Sequence, residues 1–291
     1  MKSMISIVRR NLLNYFYDKT SIFFSFLSVF ILILVYAVFL GKLQKDGIAS
    51  QVGDIEGIGY LVDTWLIAGL LSVSSFTVPL AVMSDMVSDL ENRIFDDFLV
   101  APIPRRSIVF GYVISSFVIG TIMVTVTFIL GQIYILTQGG DLYSFLEIVS
   151  ILLMIMLSTA TFSALSFFLI SLVRTVNAAS TLNTLVGTLI GFFAGIYVPF
   201  VAFNQTFANI LKLNPAAQLV SAFRRLMMQG SLDGVFSGAP AGIREAYEAD
   251  YGVVISTFGF NFSLWTTVLY AVVAMVLFFF ISTLRIKAFK R

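Results

Sequence analysis

The sequence predicts an all-α integral membrane protein, a single transmembrane domain over residues 1–291 with six transmembrane helices. Three observations predict it. Hydrophobic residues make up 58% of the chain and charged ones 12%, whereas soluble domains hold about 45–50% and about 25%. The apolar residues fall in continuous blocks, not in the alternating segments of about 10 residues that build a transmembrane barrel. Six blocks (22–40, 61–83, 108–136, 145–173, 178–198 and 262–284) approach or exceed the roughly 20 apolar residues needed to cross about 30 Å of hydrocarbon.

Residues 1–21 read as an amphipathic interfacial segment. Met4, Val8, Leu12 and Tyr15 form a stripe joined by Ile5 and Phe16, while Ser6, Arg10, Asn14 and Asp18 recur elsewhere every four residues, the spacing of a helix. Such a helix lies at the inner membrane face with its arginines near anionic headgroups, or packs on a cytoplasmic partner. The first block is too long, and too far from the start, for a cleaved leader, so it is a retained span. Residues 41–60 form a solvated connection to the second.

Residues 88–104 make up the largest polar turn on the inner side. Ser88 and Glu91 have the spacing of a capping box, and Leu90, Ile94, Phe95, Phe98 and Leu99 recur at helical spacing. Asp89, Glu91, Asp96 and Asp97 supply charge, Pro102 and Pro104 stop the helix, and Arg105-Arg106 mark the next membrane entry. An exposed Phe95/Phe98 pair suits insertion into a groove of a soluble partner. The plainer alternative is an amphipathic connector with a basic anchor.

Spans three and four exceed one crossing, so they tilt or project. Gly139-Gly140 makes a tight outer turn, and the short 174–177 turn sets spans four and five side by side. Span five ends in Gly187, Gly191, Gly195 and Ile196-Tyr197-Val198-Pro199. Glycines four apart admit another helix closely, and Pro199 bends the chain. Residues 200–261 are expected to be an extracellular or re-entrant segment. Within it, Asn214-Pro215 divides two short helices; the second is apolar at Leu219, Val220 and Phe223, too short to span, and placed in or over the outer leaflet. A further short helix is expected at 243–249.

Orientation follows from the charges. With the N-terminus cytoplasmic, the inner side holds Lys2, Arg9, Arg10, Lys19, Arg93, Arg105, Arg106, Arg174, Arg285, Lys287, Lys290 and Arg291, and the short outer loops only Lys42 and Lys45. That is the positive-inside pattern, from which a loop of roughly 60 residues is exempt. Both termini are thus expected in the cytoplasm.

Several chemistries are excluded. The chain has no Cys and no His, which removes disulfides, thiol catalysis and imidazole ligation. It lacks a phosphate-binding Gly-rich loop, and a net charge of +2 is too small for nucleic-acid binding. Charges near spans sit at their ends (Asp63, Asp85, Glu147, Arg174), which disfavours an ion-driven carrier. Polar residues do occur within spans two and five: Ser72, Ser74, Ser75, Thr77, then Asn177, Ser180, Thr181, Asn183, Thr184 and Thr188. They either meet a polar substrate group or hydrogen-bond another helix, with Phe76, Phe192, Phe193 and Tyr197 as an apolar wall.

The run Glu91…Phe98-Leu99-Val100-Ala101-Pro102-Ile103-Pro104-Arg105…Ile108…Gly111 resembles the cytoplasmic coupling-helix motif of type-2 ABC exporter permeases. A second run, Gly195…Pro199…Leu211…Asn214-Pro215…Arg224-Arg225…Gly230, resembles that family's re-entrant outer segment. The resemblance covers nearly the whole chain. It departs at Arg93-Ile94, where the family usually has Gly-Thr, at Tyr112, where it has lysine, and in residues 231–260, which are longer.

The resemblance implies that Leu90, Glu91, Arg93, Ile94, Phe95, Phe98, Leu99, Pro102 and Arg105 meet a cytoplasmic ABC ATP-binding subunit, present as two copies or two paralogues. ATP and Mg would bind on that partner, with no cofactor on this chain. It implies a second permease half, in a homodimer or heterodimer, in a lipid bilayer: the bacterial plasma membrane. Ser75, Phe76, Thr77, Asn177, Thr181, Thr184, Phe192 and Tyr197 are the candidate path. Gly195, Pro199, Asn214, Pro215 and Arg224 form the outer motif. The implied cargo is a hydrophobic or amphiphilic drug, antibiotic or peptide-like compound moved outward. Lipid-linked cell-wall polymers are an alternative, as is a non-transporting anchor or sensor for an ATPase.

Overall fold

The computed structural model describes residues 2–35, 45–46, 57–95, 100, 103–240 and 242–285. The expected end of the first span, most of the 41–60 connection and residues 96–99 and 101–102 lie outside them.

Helix α1 (Lys2–Tyr17) and helix α2 (Lys19–Val35) are separated by Asp18, whose carboxylate accepts the Thr20 N–H at 3.0 Å. α3 (Ile58–Glu91) follows, then α4 (Arg105–Thr137), α5 (Phe145–Ile170) and α6 (Val176–Phe193). α11 (Leu264–Arg285) ends the described chain. Of these, α3, α4, α5, α6 and α11 are long and apolar enough to cross a membrane; α2, described over 17 residues, is equally apolar.

α3 is the axis of the bundle. Its most apolar stretch is 83% buried, against 17% for α6 and 22% for α11, because α4, α5 and α6 all pack on it. Hydroxyls knit α4 to its neighbours: Ser116 donates to the Pro79 carbonyl at 3.0 Å and meets the Ser163 hydroxyl at 3.2 Å, and Thr121 meets Thr159 at 2.9 Å. α1 lies on α4 through Ile7, at Gly111, where a Cβ would fall 2.6 Å from Ile7 Cγ2. That contact centres the buried face of α1 on Ile7, Asn11 and Tyr15, so Ile5 and Phe16 face outward rather than joining the stripe.

α6 stops earlier than expected. Gly195 takes φ +66°, and the Ile196 N–H bonds the Gly191 carbonyl at 2.9 Å while the Gly195 N–H bonds Phe192 at 3.2 Å. This is a Schellman stop, placed before Pro199. Among the described residues, the glycines of α6 meet no other helix. A Cβ on Gly191 would lie 2.3 Å from the Tyr197 ring, one on Gly195 2.6 Å from Phe200, and Gly187 is open.

Residues 200–262 build a cap at the end of the bundle away from α1. It holds α7 (Gln205–Lys212), α8 (Pro215–Met227), α9 (Gln229–Phe236) and α10 (Ile243–Asp250). A small hairpin, β1 (Ile255–Thr257) with β2 (Phe260–Phe262), pairs Ile255 with Phe262 and Thr257 with Phe260. Its two-residue turn has φ +48° at Phe258 and +80° at Gly259, as a primed turn requires. This hairpin departs from the all-α expectation. α8 packs inward on α3, α5 and α11 and is buried from Ala216 to Arg224. α9 and Tyr247 cover Leu61, Val62 and Trp65 at the start of α3.

Candidate functional site

A groove of about 1130 Å³ runs along α3 between the α1–α2 junction and α6. Near α1 its walls carry Asp18, Asp85, Asp89 and Arg10; further along come Thr77, Thr184 and Thr188, with Val73 and Val78 between. The threonine hydroxyls donate to carbonyls of their own helices: Thr77 to Val73 at 3.1 Å, Thr184 to Ser180 at 3.0 Å, Thr188 to Thr184 at 2.8 Å. A bonded hydroxyl proton leaves the oxygen as acceptor. Tyr197 lines the groove against Gly191, its ring edge-to-face with Phe192 at 5.2 Å.

The expected path residues separate into two sets. Thr77, Thr184 and Tyr197 line the groove, and Asn177, Thr181 and Phe192 are exposed on α6. Ser75 and Phe76 face the packed interior. Ser75 donates to the Leu71 carbonyl at 2.7 Å and Phe76 stacks on Phe162 at 4.7 Å. A helix advances by 3.6 residues per turn, so neighbours in sequence point to different sides. Ser74, Asn183 and Thr188 take their place in the lining; Asn183 donates to Ser84 at 2.8 Å and holds α6 to α3.

At the α1 end, α3 runs on through the expected capping box. Ser88 sits in its last turn, and Asn92 closes the helix by donating to the Ser88 carbonyl at 2.9 Å. Ser144 with Glu147, at the start of α5, does form a capping box. Glu91 accepts the Val176 N–H, tying α3 to the first turn of α6, which Thr175 also caps. Arg93 then adopts φ +61°, the left-handed place after a helix that glycine usually fills. Beyond it Ile94 is exposed, whereas Phe95 is half-buried against the bundle rather than presented outward. Phe98, Leu99 and Pro102 lie outside the described residues; Arg105 opens α4.

A polar cluster fastens this end of α3. Arg10 of α1 forms an ion pair with Asp89, and the Tyr112 hydroxyl of α4 donates to the same carboxylate oxygen. Beside them Asn11 donates to Ser115 at 3.2 Å. Burial alone would lower the Arg10 guanidinium, but its hydrogen bonds to Asp89 and Tyr112 outweigh that and hold it above its ordinary value. Tyr112 thus has a defined partner, one that neither charge nor periodicity announces.

The residues of the second sequence motif converge in the cap. Asn214 caps α8, accepting the Ala216 N–H at 2.8 Å, with Pro215 opening the helix. Arg224 is buried; it donates to the Tyr251 carbonyl at 2.7 Å and the Gly195 carbonyl at 2.9 Å, and lies 4.2 Å from the Trp65 ring centroid. Pro199 leads into Phe200, whose ring fills the space beside Gly195 and Gly252. Arg225 donates to the Val253 carbonyl at 2.9 Å and to the Phe262 carbonyl. Burial pulls its guanidinium below the usual value, which Glu248 partly opposes.

Comparison with known proteins adds a family. The sequence profile described as ABC-2 type transporter matches residues 2–228. The inner membrane transport permease YadH of Escherichia coli (strain K12) is 24% identical over 191 residues, 65% of this chain and 70% of the relative. YadH of Shigella flexneri matches to the same extent.

Proposed function

The chain belongs to the ABC-2 type transporter family, and from that premise we propose that it is the six-span permease half of an ABC exporter. It moves a small amphiphile outward using ATP hydrolysed on a separate cytoplasmic subunit. α2 (Lys19–Val35) belongs to the sixth span, and the α1 end faces the cytoplasm, as its basic residues favour.

The observation that carries this reading is the construction of the α3 terminus. A single helix of 34 residues passes the groove and ends at Glu91. There Asp89 joins it to α1 and Glu91 joins it to α6. An ATPase pressing on residues 92–104 would therefore move three walls of the groove together. The mixed hydroxyl and apolar lining suits an amphiphile, and the groove's volume of about 1130 Å³ lies just above the roughly 300–1,000 Å³ typical of drug-sized sites.

The test is co-expression with a candidate ATP-binding subunit. Phe98→Asp should abolish assembly and transport-linked ATP hydrolysis while the chain still purifies as a folded species. Intact assembly and transport in that variant would remove the coupling assignment.

A further inference from the structure

We propose that the groove selects lipophilic cations, with Asp85 as the residue that receives the positive charge. This rests on the exporter reading and names the substrate class of the same site. Among the charged side chains lining the groove, three carboxylates, Asp18, Asp85 and Asp89, stand against one guanidinium, Arg10. Two of the carboxylates are engaged: Asp89 holds Arg10 and Tyr112, and Asp18 accepts the Thr20 N–H. Asp85 is exposed to the groove and makes no hydrogen bond or ion pair with any described residue.

The surroundings of Asp85 decide what kind of cation fits. One and two turns along α3 lie Val82 and Val78, and then the hydroxyl of Thr77. A bare divalent metal would need about six to eight oxygen ligands, far more than one disengaged carboxylate offers. A hydrated ion gains nothing from apolar walls. A monovalent cation carrying an apolar body uses both, placing its charge at Asp85 and its bulk along the valines. The surplus of negative charge repels anionic cargo, including a phosphate-linked polymer. The carboxylate lies at the α1 end, so a compound entering from that side meets the charge filter first.

The experiment uses tetraphenylphosphonium and tetraphenylborate, ions of the same shape and opposite charge. Binding to the full chain in lipid nanodiscs is measured by equilibrium dialysis, with empty nanodiscs subtracting membrane partition. Wild type should bind the phosphonium saturably and the borate not at all. Asp85→Asn should weaken phosphonium binding at least tenfold, whereas Asp85→Glu should stay within about threefold. Equal binding of the two ions, or unchanged phosphonium binding in Asp85→Asn, overturns the proposal. So does a loss of binding that coincides with dissociation of a permease dimer, which would make Asp85 a contact for a second copy. If the phosphonium fails to bind while an ATPase complex assembles and works, the cation assignment falls and the exporter reading stands. Specific phosphonium binding with no ATPase association has the opposite meaning.

Discussion

Replacing Arg224 with methionine tests whether a buried guanidinium organises the cap. The substitution keeps an unbranched apolar stem of similar length and removes every donor. Two hydrogen bonds from a charged group, to the Tyr251 and Gly195 carbonyls, contribute about 1.5–3 kcal/mol each. The desolvated cation–π contact with Trp65 contributes about 2 kcal/mol. Methionine carries no charge to strip of water, and that relief returns several kcal/mol. The net cost is then about 2–4 kcal/mol, since the Gly195 carbonyl is left unmet while Tyr251 keeps the Trp65 indole N–H at 2.9 Å. At roughly 2–4 °C per kcal/mol for a domain of this size, the melting temperature in detergent should fall by about 5–15 °C. Arg224→Lys should fall comparably, because one ammonium does not reproduce the planar two-armed donation. A melting temperature within about 2 °C of wild type for Arg224→Met would refute the reasoning.

Two further substitutions probe the α1 end of α3. In a double-mutant cycle, Asp89→Asn with Arg10→Gln should show a coupling of about 1–2 kcal/mol in thermal stability; additive effects would mean that α1 is not fastened through this pair. Arg93→Gly should stabilise the chain by about 1 kcal/mol by relieving a left-handed conformation, and a lower melting temperature would show that the arginine side chain outweighs its backbone strain.

The long apolar runs made the spans legible, and Asn214-Pro215 located the break between α7 and α8, because proline lacks an N–H and asparagine caps. The end of α3 was not legible. Ser88-Asp-Leu-Glu91 and Ser144-Phe-Leu-Glu147 share one spacing, but only the second follows a glycine turn where a helix must start afresh. Behind Ser88 lies an apolar helix that simply continues. Gly195 carried a stop signal that its spacing from Gly187 and Gly191 disguised as a packing face. Which polar residues of α3 face the groove was not legible for another reason. Ser74 and Ser75 are chemically alike, and only the rotation of α3 against α5 decides which faces the open side. Asp85 looked like a span-end charge, and its neighbours across the groove come from α1 and the α1–α2 junction, which no local pattern can supply.

The two arginines of α8 also set an order of events. Their acceptors lie on both sides of them in the chain, from Gly195 upstream to Phe262, the last one 37 residues after Arg225. A guanidinium enters an apolar interior only together with the groups that receive its protons, since an unmet buried charge costs several kcal/mol. During synthesis at about 5–20 residues per second, the buried Arg224 gains its downstream acceptor only once Tyr251 has been made. Burial of α8 and closure of the cap are then expected as one event, tied to the arrival of Tyr251, the downstream acceptor of the buried Arg224, and not to the completion of α8 itself.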